Sequence, residues 1–148
     1  MLISDGDVTP AVAACLPDSG VDLMIGIGGA PEGVLAAAAV RCLGGDFQGR
    51  LAPLGEEDAA RARAMGVDPE RRLGLEDLVQ GDDVIFAATG ISDGDVLAGV
   101  RFLGEDMVQS TTVVMRSRTG TVRWVTARHH LNRKREAVGL DIWPLTDD

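Results

Sequence analysis

Asp22-Leu-Met-Ile-Gly-Ile-Gly-Gly-Ala-Pro-Glu-Gly-Val34 reads as a strand, a glycine turn and the start of a helix. Leu23, Met24, Ile25 and Ile27 form a short apolar run, the pattern of a strand buried on both faces. Gly26, Gly28 and Gly29 follow. Glycines at a strand-to-helix turn let the backbone approach a ligand closely. Pro31 suits the first helical turn, where its missing N–H is not needed. Val34 to Leu43 is alanine-rich and apolar at helical spacing. The free N–H groups of such a turn favour an anion. Glu32 therefore stands out, because it puts a carboxylate where a phosphate would otherwise sit. A bridging metal cation accounts for it, and so does a first-turn acid complementing the helix dipole. Both readings stay open at this point. A dinucleotide fingerprint fits poorly, because the third glycine is not at its usual spacing and no acid follows on a second strand.

Composition narrows the classes. The chain has 148 residues, 45% of them hydrophobic and 25% charged, which predicts one globular domain with a core. A formal net charge of −9 argues against nucleic acid or an anionic membrane surface as partner. It does not argue against an anionic metabolite held through cations. No apolar run reaches about 18 residues, so no membrane span is expected. Met1-Leu-Ile-Ser-Asp5 lacks the basic and apolar regions of a signal peptide. Cys15 and Cys42 fall in apolar helical contexts, as buried free thiols of a cytoplasmic protein would.

Outward from the central stretch, Leu2-Ile3 reads as the tail of a strand, and Val8, Val12, Cys15 and Leu16 as one helical face. Phe47 to Ala52 is a short strand. Glu56 to Met65 is a surface helix ended by Gly66, and Leu75 to Val79 is a turn or two of helix. Val84 to Ala88 is a second buried strand, after which Asp93 or Asp95 caps a short helix to Val100. Gln109–Met115 and Thr121–Thr126 flank Ser117-Arg-Thr-Gly120, a β-hairpin signal. These elements predict an α/β fold: a mixed sheet of about five strands flanked by helices on both faces, with a late antiparallel hairpin. Residues 1–127 form the domain, and 128–148 a polar, basic tail. Trp143-Pro144 docks locally. His129 and His130 are adjacent and point to opposite sides in regular structure. Ile3-Ser-Asp-Gly-Asp-Val8 recurs letter for letter as Ile91-Ser-Asp-Gly-Asp-Val96. Asp-Gly-Asp is a convenient turn and cap, and the identity extends no further.

Two phosphatase chemistries fit the acids. Asp5-Gly6-Asp7-Val8-Thr9 matches the D-x-D-x-T of haloacid-dehalogenase-like enzymes, whose first Asp attacks phosphorus. Its context fails, since only Leu2-Ile3 precede it and Asp82-Asp83 precede the later strand instead of following it. The other is metal-assisted ester hydrolysis, which needs several convergent carboxylates. Asp5, Asp7 and Glu32, on turns that follow strands, are one edge of such a site.

Asp5-Gly6-Asp7, Leu16-Pro-Asp-Ser-Gly-Val-Asp22 and Gly26-Ile-Gly-Gly-Ala-Pro-Glu-Gly33 together resemble the class II fructose-1,6-bisphosphatases, the GlpX type. Cys42-Leu-Gly-Gly45, Gln48-Gly-Arg50, Asp82-Asp-Val-Ile-Phe-Ala-Ala-Thr-Gly90, Met115-Arg-Ser117 and Thr119-Gly-Thr121 extend the likeness to about Ala127. The resemblance implies half of a sugar-phosphatase fold. It implies hydrolysis of fructose 1,6-bisphosphate to fructose 6-phosphate in gluconeogenesis with Mg²⁺ or Mn²⁺; some members also take sedoheptulose 1,7-bisphosphate. It makes Asp5, Gly6, Asp7 and Gly29 substrate contacts and Glu32 a ligand of one metal, and it assigns no catalytic residue to this chain. The family's chains are roughly twice this length. The expectation is therefore a C-terminal half, inactive alone, as a fragment or one part of a split protein. Its rival is a non-catalytic sugar-phosphate-binding or assembly module. An exposed apolar patch and an open sheet edge predict a homo-oligomer.

Overall fold

The computed structural model describes Gly6 and residues 8–139. The expectations at Leu2-Ile3, Asp5, Asp7 and Trp143-Pro144 lie outside the described residues. Within them the protein is α/β, organised on one long alanine-rich helix laid across an antiparallel sheet.

The short helix α1 (Val8–Ala13) buries Pro10, Ala11, Val12 and Ala13. It lies against α2 (Ala30–Leu43), which buries Ala36, Ala37, Ala39, Val40 and Cys42. Small side chains on that stripe let α1 and the sheet come close. Pro31 stands in the first turn of α2, and Gly44 ends it at φ 75°, ψ 21°. Only glycine adopts that left-handed cap cheaply. The Gly45 N–H then donates to the Val40 carbonyl at 3.1 Å, closing the helix.

The sheet is built on β5 (Met107–Arg116). Along one edge β5 pairs with β3 (Ile85–Thr89) and with β4 (Arg101–Gly104); along the other it pairs with β6 (Thr121–His130). All these pairings are antiparallel. The β5–β6 hairpin, closed by a 3-10 turn over Ser117–Thr119 and Gly120 at φ 58°, is the late hairpin expected from the sequence. β6 runs on to His130, and α5 (Leu131–Val138) follows, so regular structure continues past the end of the apolar pattern. Phe86, Val113 and Met115 meet Val12, Ala39 and Cys42 in the main core, with Val122 packed against it. Cross-strand register puts Phe86 and Val122 both opposite Met115, which is why one face carries this core.

The other face carries Ile85, Ala87, Val114 and Val125 among Thr89, Thr112 and Arg123, by the same alternation. Ile85 is 65% exposed and Val125 46%. A smaller unit of β1 (Gln48–Gly49), α3 (Glu56–Ala64), β2 (Leu73–Gly74) and α4 (Leu75–Leu78) borders α2. Arg41 anchors it, donating to the Glu76 carboxylate at 3.1 Å and to the Val79 carbonyl.

Two expectations are corrected. Among the described residues no strand pairs with Leu23 to Ile27, although the sequence reads there as a buried strand. Leu23, Ile25 and Ile27 are 71%, 86% and 89% exposed. A ladder takes two partners, and the described residues offer none at that place. Residues 93–100 form no helix. Instead Asp93 accepts the Gly99 N–H at 2.9 Å and holds Arg101 at 2.7 and 2.9 Å, which closes a tight loop. A Cβ at Gly99 would stand 2.6 Å from the Ser92 carbonyl carbon, so the loop closes this tightly only around glycine.

Candidate functional site

Gly29 is the N-cap of α2, with extended φ and ψ and no side-chain cap. Glu32 stands in the first turn. Its carboxylate folds back over Gly29, where an added Cβ would collide with Oε2. Glu32 is exposed and forms no ion pair among the described residues. An acid in this position is stabilised by the unpaired N–H groups of the turn. It also offers hard oxygen donors to solvent, the ligand type that Mg²⁺ and Mn²⁺ take.

Gly6, exposed and at φ 86°, lies two residues before α1. A left-handed conformation there needs glycine. Asp5 and Asp7, its neighbours, lie outside the described residues, so only Gly6 of that turn has a described position.

The two helices relate these turns. Beyond α1, Cys15 Sγ sits in the space that a Gly45 Cβ would take, just beyond α2. Ala11 shares a core cluster with Ala36 and Val40. The C-terminal ends of α1 and α2 therefore meet, and both helices point their N-termini to the same side. Gly6, before α1, and Gly29, before α2, both lie toward that side.

The internal hexapeptide echo gains a spatial meaning that its sequence alone did not give. Val96 and Leu97 pack on the same core as Val8. A Cβ at Gly94 would reach Thr9 Cγ2 at 4.0 Å. The second Asp-Gly-Asp turn thus borders the first turn of α1. Of its acids, Asp93 is engaged by Arg101, whose guanidinium, with the Gly99 N–H, holds the Asp93 carboxyl below the usual carboxylate range. Asp95 is exposed.

The other reactive residue types are structural here. Burial raises the pKa of Cys15 and of Cys42, so both are thiols and poor nucleophiles near neutrality. His129 Nε2 hydrogen-bonds Ser110 Oγ at 2.9 Å across the hairpin. No three His, Cys, Asp or Glu side chains converge as a metal cage among the described residues. Glu32 fits a divalent cation as one ligand, and a complete cage would draw on further donors.

The chain matches the family described as bacterial fructose-1,6-bisphosphatase, glpX-encoded, over residues 1–129. It is 41% identical over 145 residues to fructose-1,6-bisphosphatase 1 class 2 of Escherichia coli strain K12, covering 89% of this chain and 43% of that protein. It is 43% identical to fructose-1,6-bisphosphatase class 2 of Haemophilus influenzae, with the same coverage. The chain spans less than half the length of these relatives. With most of its residues inside the match, the chain belongs to the glpX-encoded bacterial fructose-1,6-bisphosphatase family.

Proposed function

We propose that this chain is the C-terminal part of a metal-dependent sugar-bisphosphate phosphatase that converts fructose 1,6-bisphosphate to fructose 6-phosphate and phosphate. The observation that carries the reading is an exposed Glu32 folded over Gly29 at the start of α2, within a family match over residues 1–129. Asp5 and Asp7 would accept hydrogen bonds from sugar hydroxyls. Gly6 and Gly29 would let the backbone approach the substrate without a side chain in the way. Glu32 would supply one ligand to Mg²⁺ or Mn²⁺. Bound there, such an ion neutralises phosphate charge and polarises the ester. The remaining ligands would come from polypeptide that the relatives carry outside the matched region. The same reading gives the chain a cytoplasmic role in gluconeogenesis, with sedoheptulose 1,7-bisphosphate as a second substrate of the same shape.

The purified 148-residue protein should release no phosphate from fructose 1,6-bisphosphate with either metal. Joined to the amino-terminal part of the Escherichia coli relative, it should gain metal-dependent release. Robust release by the chain alone, abolished by Asp5→Ala, would restore the aspartyl-nucleophile chemistry. A joined protein that binds the bisphosphate and never hydrolyses it would make the chain a binding module.

A further inference from the structure

The charge of this protein is unevenly laid out. From Met107 to Arg135 there is no Asp or Glu, while seven of the 14 Lys and Arg fall there; all 23 acids lie elsewhere. That stretch is β5, β6 and the first turns of α5. Arg116 is paired with Asp83. Arg118, Arg123, Arg128, Arg133 and Lys134 form no ion pair among the described residues. In an acidic protein such a stretch is a local attractor for anionic groups. β6 also has an open side. Its register with β5 is unbroken from Thr121 to His130, and its other side pairs with no strand among the described residues. An edge of 10 residues is long. β6 has neither the proline nor the bulge that blunts exposed edges. Between Arg123 and Arg128 stand Trp124, 52% exposed, and Val125, half exposed.

We infer that the outer edge of β6 takes an extended, acidic segment of a partner protein as an added strand. An open row of backbone N–H and C=O groups is a template for a strand. Strand addition draws affinity from main-chain hydrogen bonds and specificity from side chains. A small anion would use the arginines and leave the edge bare. Nucleic acid would use the charge alone, and the 23 acids elsewhere oppose a long polyanion. A second copy would set one basic edge against another, and like charges across a ladder are destabilising. A segment with acids opposite the arginines fits the charge, the open edge and the exposed Trp124 together. The ladder fixes the spacing of those acids. Arg123 and Arg128 lie on opposite faces of the strand, because one number is odd and the other even. Arg128 gives one donor, Nε, to Gln109 Oε1 at 3.3 Å and keeps others. An antiparallel partner would read, from its amino end, an acid opposite Arg128 and two residues of free choice. Two apolar residues opposite Val125 and Trp124 would follow, and then an acid opposite Arg123. Nothing in this surface depends on Glu32 or on the phosphatase reading.

The probe is the octapeptide Ser-Asp-Thr-Thr-Val-Val-Asp-Ser, titrated into the 148-residue protein by calorimetry. It should bind one to one, and more weakly as salt rises. Two N-methylated forms of it test main-chain pairing with the protein untouched. Methyls on the alternate amides that face β6 should abolish binding, and methyls on the other set should leave it intact. Arg123→Glu combined with Arg128→Glu should weaken binding of the acidic peptide by about tenfold. The same variant should keep its melting temperature, because both side chains are exposed, and should bind Ser-Arg-Thr-Thr-Val-Val-Arg-Ser instead. Failure of the acidic peptide to bind overturns the inference. Equal binding by both N-methylated forms overturns it too, since the edge is then only a charged patch. An oligothymidine strand that binds more tightly and displaces the peptide would overturn it in favour of nucleic acid. Peptide affinity that falls as the protein is concentrated would overturn it in favour of a second copy.

Discussion

At the scale of single residues, Glu32 joins the sequence to the proposed chemistry. Its oddity is legible at once, because a carboxylate at a glycine-rich helix start demands either the dipole or a cation. The structure leaves it exposed over Gly29, a position both explanations can use. They separate in a variant. Glu32→Gln removes a dipole-complementing charge, so the melting temperature of the chain should fall by less than about 3 °C. In the joined enzyme the same change should lower metal-dependent turnover on the order of 100-fold, as loss of one electrostatic contact to the reacting group does. Melts by circular dichroism and a phosphate-release assay across Mn²⁺ concentrations read both effects. A large loss of stability with unaltered turnover would make Glu32 a helix cap and nothing more.

At the scale of elements, legibility follows locality. The helix α2, the hairpin β5–β6 and the strand β3 all carry their own signals: a proline start and glycine stop, a threonine- and valine-rich pair about a glycine turn, and an apolar run. Each also finds its partner inside the chain. Leu23–Ile27 carries as strong a strand signal and fails, because a strand is a relation between segments and the described residues hold no partner for it. The loop at 91–100 departs from its sequence pattern for a different reason. Asp93 does cap, but its carboxylate reaches Gly99 and Arg101 across the loop, and not the next turn of a helix. That arrangement has a pH signature. The carboxyl of Asp93 is held down by Arg101, and that of Asp83 by Arg116, which it meets in a bidentate pair at the root of the hairpin. Each folded pKa lies below the unfolded one. The stabilisation is therefore complete above the ordinary carboxylate range and is lost as pH falls through the depressed values. Melting temperature should be level from neutrality to about pH 5 and decline below about pH 4. Asp93→Asn should lower it by a few degrees at neutral pH and make the acid decline shallower.

At the scale of the whole molecule, one face of the sheet has α2 and a core, and the other has none among the described residues. Ile85, Ala87, Val114 and Val125 form an apolar strip there, between threonines and arginines. Strips of this kind mark contact surfaces, and the chain should self-associate through it. Light scattering should give a dimer or larger, and Val125→Lys should return it to monomer without unfolding, because that side chain is half exposed. A strict monomer at high concentration would remove the contact. The unpaired run at Leu23–Ile27 has a different consequence, for the life of the chain in a cell. A short, β-prone, uncharged aliphatic segment that pairs with no strand among the described residues is the kind of sequence that nucleates aggregates. It is also what quality-control machinery seizes, and binding by chaperones and proteases drains such a population continuously. A charge placed in that segment, as in Ile25→Asp, should therefore slow aggregation of this 148-residue protein, which light scattering on warming reads directly.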